Sequence, residues 1–250
     1  MGQDVPDKAF LCMDTVVDGD NPRVSWLAEQ ISREDPVATA ERCFTFVRDE
    51  ILHSVDFKRE EMPVAASAVL DAGSGLCLAK SHLLVALWRA CGLPAGFCYQ
   101  RLVFDADRGL YVTHGLAAVC LPEFGWYRCD ARGNTKAGID CVFTPDTESL
   151  AYTPVDHGEY DFPYIWAEPW PEVVAGLRGL ASLSAYLARP IDAVPPKGDV
   201  MRESVRAAHR DTIVHEDSSN RAGPPNEARS KRATTSSSTG RQDPHSGQRH

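Results

Sequence analysis

The run Asp71-Ala72-Gly73-Ser74-Gly75-Leu76-Cys77 places a cysteine behind a glycine-rich turn and at the start of a long apolar stretch. A thiol in the first turn of a helix meets free N–H groups and the positive end of the dipole, and both stabilise the thiolate, which is the nucleophile. A dipole effect near 1 kcal/mol moves a pKa by only about one unit, so an activated thiol needs a further cation. On these seven residues alone, a buried structural cysteine in a tight turn explains the pattern equally well. Two residues further along tip the balance. His114 lies among Leu, Val, Ala and Thr, where an unpartnered imidazole is costly to desolvate. Asp130 is a carboxylate at the end of another largely apolar stretch, expensive to bury unless paired. Each supplies the other's partner, and the set of thiol, imidazole and orienting carboxylate is that of nucleophilic acyl transfer.

The elements that must position these groups follow from periodicity. Asp35-Pro36 offers an N-cap and a first-turn proline, and Val37, Ala40, Phe44, Val47 and Ile51 then recur on one helical face. A shorter helix is expected over Pro22 to Ile31, burying Trp26, Leu27 and Ile31, and a turn or two over Val64 to Leu70. Leu78 to Cys91 reads as a helix stopped by Gly92 and Pro94. Beyond it the period changes to two: residues 96–104, 110–121 and 125–130 read as strands separated by turn compositions. One last helix is expected over Glu172 to Leu187. Helices followed by consecutive antiparallel strands indicate an α+β domain. Parity then constrains the last hairpin. A four-residue loop, Pro122 to Gly125, would put His114 and Asp130 on opposite faces, whereas a three-residue loop pairing 121 with 125 sets Asp130 across from Leu116, one diagonal step from His114. An odd-length loop or a bulge is therefore predicted here.

GSGLC followed by AKSHLLVALWRACGLPAGF, the strand carrying His114, and GWYRCD resemble the transglutaminase-like superfamily, with a weaker likeness reaching from about residue 10 to 190. The HGLAAV and DARGN segments resemble small bacterial members in particular. The resemblance implies a papain-like core whose nucleophile helix packs on an antiparallel sheet. It implies Cys77 as nucleophile, His114 as base and later acid, and Asp130 as the group that orients the imidazole, with the Cys77 N–H as one oxyanion donor and the second left unassigned. The implied chemistry is attack on an amide or related acyl group and thioester formation, with transfer to water or an amine. Peptides, proteins or small amides are the implied substrates, and hydrolysis is preferred over crosslinking. A catalytically silent binding or scaffold module and acyl transfer from a small thioester donor are the rival readings. Gly115-Leu116 stands where the family commonly has Ala-Trp, and Ala131-Arg132 where it has Pro-Thr.

Composition bounds the rest. The 250 residues carry a net charge of −9 and are 43% hydrophobic, enough for a sizeable core and ill suited to binding a phosphate backbone. Neither a membrane-spanning run nor a signal peptide is legible, so a cytoplasmic protein is expected. Eight cysteines show no C-x-x-C pair; reduced, buried thiols are expected, with neither a metal nor another cofactor. A zinc site built on Cys77, His114 and another cysteine is disfavoured on the same ground. The domain is expected over 1–190 and a disordered tail over 191–250, whose last fifty residues lack Phe, Trp and Tyr. Among other candidates, His82 is expected to be exposed, Lys80 and Ser81 to be solvated or capping, and Arg132-Gly133-Asn134 to serve turn chemistry. Trp126 and Trp166 are expected to be core residues, and His53 and His157 have no partner visible in sequence.

Overall fold

A computed structural model describes residues 8–196 and 201–203. After a short 3-10 helix at Lys8–Leu11 come two α-helices, α1 (Pro22–Ile31) and α2 (Pro36–Glu50). Each starts with a side-chain cap and a proline: Asn21 accepts from the Arg23 N–H, and Asp35 accepts from Val37 and Ala38 at 3.0 and 3.2 Å. The inner face of α1 is Val24, Ala28 and Ile31, while Trp26, expected inside, is 62% exposed because it lies on the opposite side of the helix. A two-residue strand β1 (Leu52–His53) follows, then α3 (Ala66–Ala72), which Gly73 ends in a left-handed conformation at φ 60°. Strand β2 (Ser74–Gly75) pairs in parallel with β1, a ladder too short to leave a sequence signal.

Helix α4 (Cys77–Ala90) is the centre of the molecule. Every residue from Cys77 to Arg89 is buried, so it is wrapped on all sides and has no solvent face. That explains two corrections. His82 is 1% exposed, with its Nδ1 2.7 Å from the Val64 carbonyl, and Lys80 is equally buried.

A mixed layer of short and long strands covers α4. The long hairpin β3 (Ala95–Asp105) and β4 (Leu110–Leu121) is joined by β5 (Gly125–Cys129) on one side, and by β6 (Tyr160–Asp161), β7 (Tyr164–Trp166) and β8 (Met201–Glu203) on the other, all antiparallel. This is the expected α+β architecture of helices against an antiparallel sheet. The last expected helix is two: α5 (Pro171–Arg178) stops at Gly179, and α6 (Leu183–Ala188) restarts from Ser182, whose hydroxyl accepts from Ala185. The packed body also passes the expected boundary at 190. The Thr113 N–H donates to Ile191, and Thr113 Oγ1 accepts from Ala193, so 191–193 lies along β4. Most of the expected tail, from 204 onward, lies outside the described residues.

Candidate active site

Cys77 is the first residue of α4, and Leu76 before it supplies no side-chain cap. The first-turn N–H groups therefore face the space around the thiol. The turn that delivers Cys77 is held from behind: Leu52 N–H donates to Gly73 at 2.9 Å and Ser54 N–H to Gly75 at 3.0 Å. From in front, Gly115 of β4 lets the helix start come down onto the strand, since a Cβ there would stand 2.8 Å from Leu78 Cα and 3.1 Å from its nitrogen. Gly115 thus leaves room for the start of α4 to lie close against the strand that carries His114.

His114 and Asp130 meet as parity requires. Leu121 pairs with Gly125 across a three-residue loop, and the register runs to Ala117 opposite Cys129, so the next residue, Asp130, comes beside Leu116. His114 Nε2 lies 2.7 Å from Asp130 Oδ2, and both are buried. Asp130 Oδ1 accepts from the Arg132 N–H and Oδ2 from Ala151, so the carboxylate is fixed before it engages the imidazole. Its Nε2 occupied, His114 has Nδ1 left for the thiol.

The electrostatics follow from this geometry. Burial pushes the Cys77 thiol up, but the charge and hydrogen bonding of His114, and then of His53, more than reverse it and bring it to about 5. Burial alone would lower His114, whereas the negative charges of Asp130 and Cys77 raise it to about 10. Asp130 is raised by burial and lowered further by His114 and its two amide donors, ending below the usual carboxylate range. At neutral pH the site holds a thiolate beside an imidazolium.

Sequence reasoning missed several neighbours. His53, from β1, lines the same cleft as Cys77 and His114. Its Nδ1 is 3.6 Å from Asp56, which also takes the Arg132 guanidinium at 2.9 Å and the Thr135 hydroxyl. Lys80 donates to the carbonyls of Arg48, Ile51 and Arg132, tying the end of α2, the approach to β1 and the segment after Asp130 to α4. Burial drops its ammonium to about 7, against the opposing pull of Asp130. Arg132, expected in turn chemistry, is 2% exposed and paired with Asp56. Tyr152 sets its ring against His114, 5.0 Å between centroids at 88°. Its segment is held by Arg128, buried in β5, which forks to both Glu148 and Asp161. One faint signal was available: His53 and Asp56 are three residues apart in LHSVDF, but neither lies in a strong period.

These groups form the floor of a cleft of about 490 Å³. Leu102, Phe104, Val112 and Tyr186 make one wall apolar, and Arg132 and Lys136 lie on the polar side. Trp166 is in the core, with Tyr99 and Trp170, and Trp126 packs on Phe10 at 4.8 Å, so neither lines the cleft. Ser81 is buried and donates to the Cys77 carbonyl at 3.0 Å. The His157 carbonyl accepts from the Tyr111 hydroxyl. Among the described residues no group of three or more His, Cys, Asp or Glu could hold a metal ion, and no helix is long and apolar enough to cross a membrane.

Comparison with known proteins bears on the same region. No curated protein matches the sequence significantly. The chain is similar in structure to a candidate cysteine protease from Cytophaga hutchinsonii, at 17% identity and a TM-score of 0.42, covering 52% of this chain and 43% of that one. It is similar also to the periplasmic domain of TgpA from Pseudomonas aeruginosa, at 19% identity and a TM-score of 0.38, covering 51% of this chain and 48% of that one. The chain thus spans less than half the length of either structure. Residues 26–131, from within α1 to just past Asp130, match the family model of the transglutaminase-like superfamily.

Proposed function

We propose that the protein is a cysteine-dependent acyl-transfer enzyme, in which Cys77 attacks the carbonyl of a peptide or small amide, forms a thioester and passes the acyl group to water. The observation that carries this reading is the Cys77 thiol at the open start of α4, facing an imidazole that is itself fixed by a buried carboxylate at 2.7 Å. The thiolate and the His114 imidazolium form the resting pair. Attack forms the C–S bond, and the His114 proton leaves with the amine. Neutral His114 then takes a proton from water as it attacks the thioester, and release of the acid restores the thiolate. Asp130 keeps Nε2 engaged so that Nδ1 points at the reacting atoms. A cleft with one apolar wall, and with Arg132, Lys136, Asp156 and Glu159 among its charged lining, supports an acyl group with an apolar side chain. Eight cysteines, none of them in a disulfide, support a reducing compartment such as the cytoplasm.

The test is the pH dependence of Cys77 alkylation by iodoacetamide, read by mass spectrometry, together with acylation of the same residue by p-nitrophenyl acetate. A midpoint well below the ordinary thiol value of ~8.5 and a thioester on Cys77 are expected. An ordinary thiol that no acyl donor modifies would mean that the fold serves binding.

A further inference from the structure

His53 is the least explained polar residue of the cleft. It does not come from the sheet that supplies His114 but from β1, where it pairs with Gly75, two residues before the nucleophile. It therefore approaches Cys77 from the side of the helix start, where the Cys77 N–H faces out. It is 7% exposed, and its Nδ1 makes no hydrogen bond although Asp56 Oδ1 stands only 3.6 Å away. With Nδ1 turned to Asp56, Nε2 is the nitrogen left for the nucleophile. His82 shows what a structural imidazole looks like in this protein: it sits inside the core, against Phe97, with Nδ1 on the Val64 carbonyl. His53 lines a cleft instead.

Building on the acyl-transfer reading, we propose that His53, backed by Asp56, is a second catalytic imidazole, which donates from Nε2 to the oxyanion formed on the substrate carbonyl alongside the Cys77 amide. Attack by the thiolate moves the carbonyl π pair onto oxygen, and that charge needs donors aimed at where it develops. One backbone N–H supplies one of them. Nε2 carries the donated proton, and the anion it faces is first the thiolate and then the oxyanion. Asp56 is itself anchored by Arg132, Thr135 and, at 3.7 Å, Lys136, so it holds His53 in place rather than taking its proton. Collapse of the intermediate returns the pair to the carbonyl and expels the leaving group, and the His53 Nε2–H stays in place throughout. His114 handles the transferred proton; His53 handles the charge.

Two reagents separate these roles. p-Nitrophenyl acetate builds an oxyanion at Cys77 but expels a phenolate that needs no acid, whereas iodoacetamide alkylates the same thiolate by displacement at carbon with no oxyanion. The ratio of the two rates at one pH cancels the thiolate fraction. In the full chain, His53→Ala is expected to lower that ratio by roughly 10²-fold. His53→Gln, which retains an N–H, should recover at least part of it, while Cys77→Ala should remove both reactions. If His53→Ala does not fold by circular dichroism, His53→Phe keeps the ring volume without a donor and reads the same quantity. An unchanged ratio in the variant lacking the donor overturns the inference and leaves the reading of Cys77 standing. Wild-type Cys77 that takes neither reagent overturns both.

Discussion

Cys77 at the start of α4 and Cys129 at the end of β5 are both buried, yet their thiols are pushed in opposite directions. Burial raises each of them, because a thiolate without water is disfavoured. At Cys129 nothing opposes this, and the neighbouring Asp130 raises the thiol further. Cys98 in β3 behaves the same way and is raised to about 12. At Cys77 two imidazoles overturn the burial effect. The same carboxylate thus acts in both senses: directly it suppresses one thiol, and through His114 it helps to ionise the other. The arrangement of partners and not exposure sets these thiols apart, since Cys77 is itself only 7% exposed.

The comparison fails first if Cys77 is not the reacting thiol. Cys77→Ala should abolish acylation by p-nitrophenyl acetate while its far-UV circular dichroism matches wild type; a lost spectrum would make the cysteine structural. Next in size is Asp130→Asn, which leaves the imidazole free to adopt the wrong tautomer and should slow acyl transfer by up to about 10⁴-fold. Full activity in that variant would remove Asp130 from the account. Gly115→Ala tests how Cys77 is brought to His114. The added methyl meets Leu78, so the helix start must lift away. An overpacking cost of ~1–3 kcal/mol in urea unfolding and a fall of roughly 10²-fold in acylation are expected, and wild-type values for both would show that the close approach is not needed.

The pH profile sharpens the same contrast. Cys77 is lowered, so the thiolate appears as pH rises through about 5, and His114 is raised, so the imidazolium persists until about 10. Cleavage of an amide, which needs both, should rise at the first value and fall at the second, whereas Cys129 should stay unalkylated across the range. In His114→Ala the Cys77 midpoint should climb by roughly 2–4 units. The smallest effect is expected from Cys129→Ala, about 1–2 kcal/mol of stability from the lost buried sulfur and no change in the Cys77 midpoint. A shifted midpoint would couple the two thiols that the structure separates.

How much of this was legible depends on the range of the signal. The cap at Asp35 and the long hairpin are written in adjacent residues, and so is the glycine turn that carries Cys77. The juxtaposition of His114 and Asp130 was legible as well, because strand parity converts a loop length into a shared face, and the three-residue loop met that condition. Two of the misread residues share one cause. Lys80 and His82 were assigned to a solvent face that α4 does not have, and only the packing of helices and sheet around it decides that. The break between α5 and α6 comes from Gly179 and Ser182, local residues overruled by an apolar period that happens to run across them.

The sequence by itself determined the helix that presents the Cys77 thiol and the strands that carry His114 and Asp130, since each rests on local pattern or on parity. Tertiary structure alone decided that His53 and Asp56 join them. A two-residue parallel ladder between β1 and β2 brings together segments more than twenty residues apart, and so short a pairing leaves no period to read.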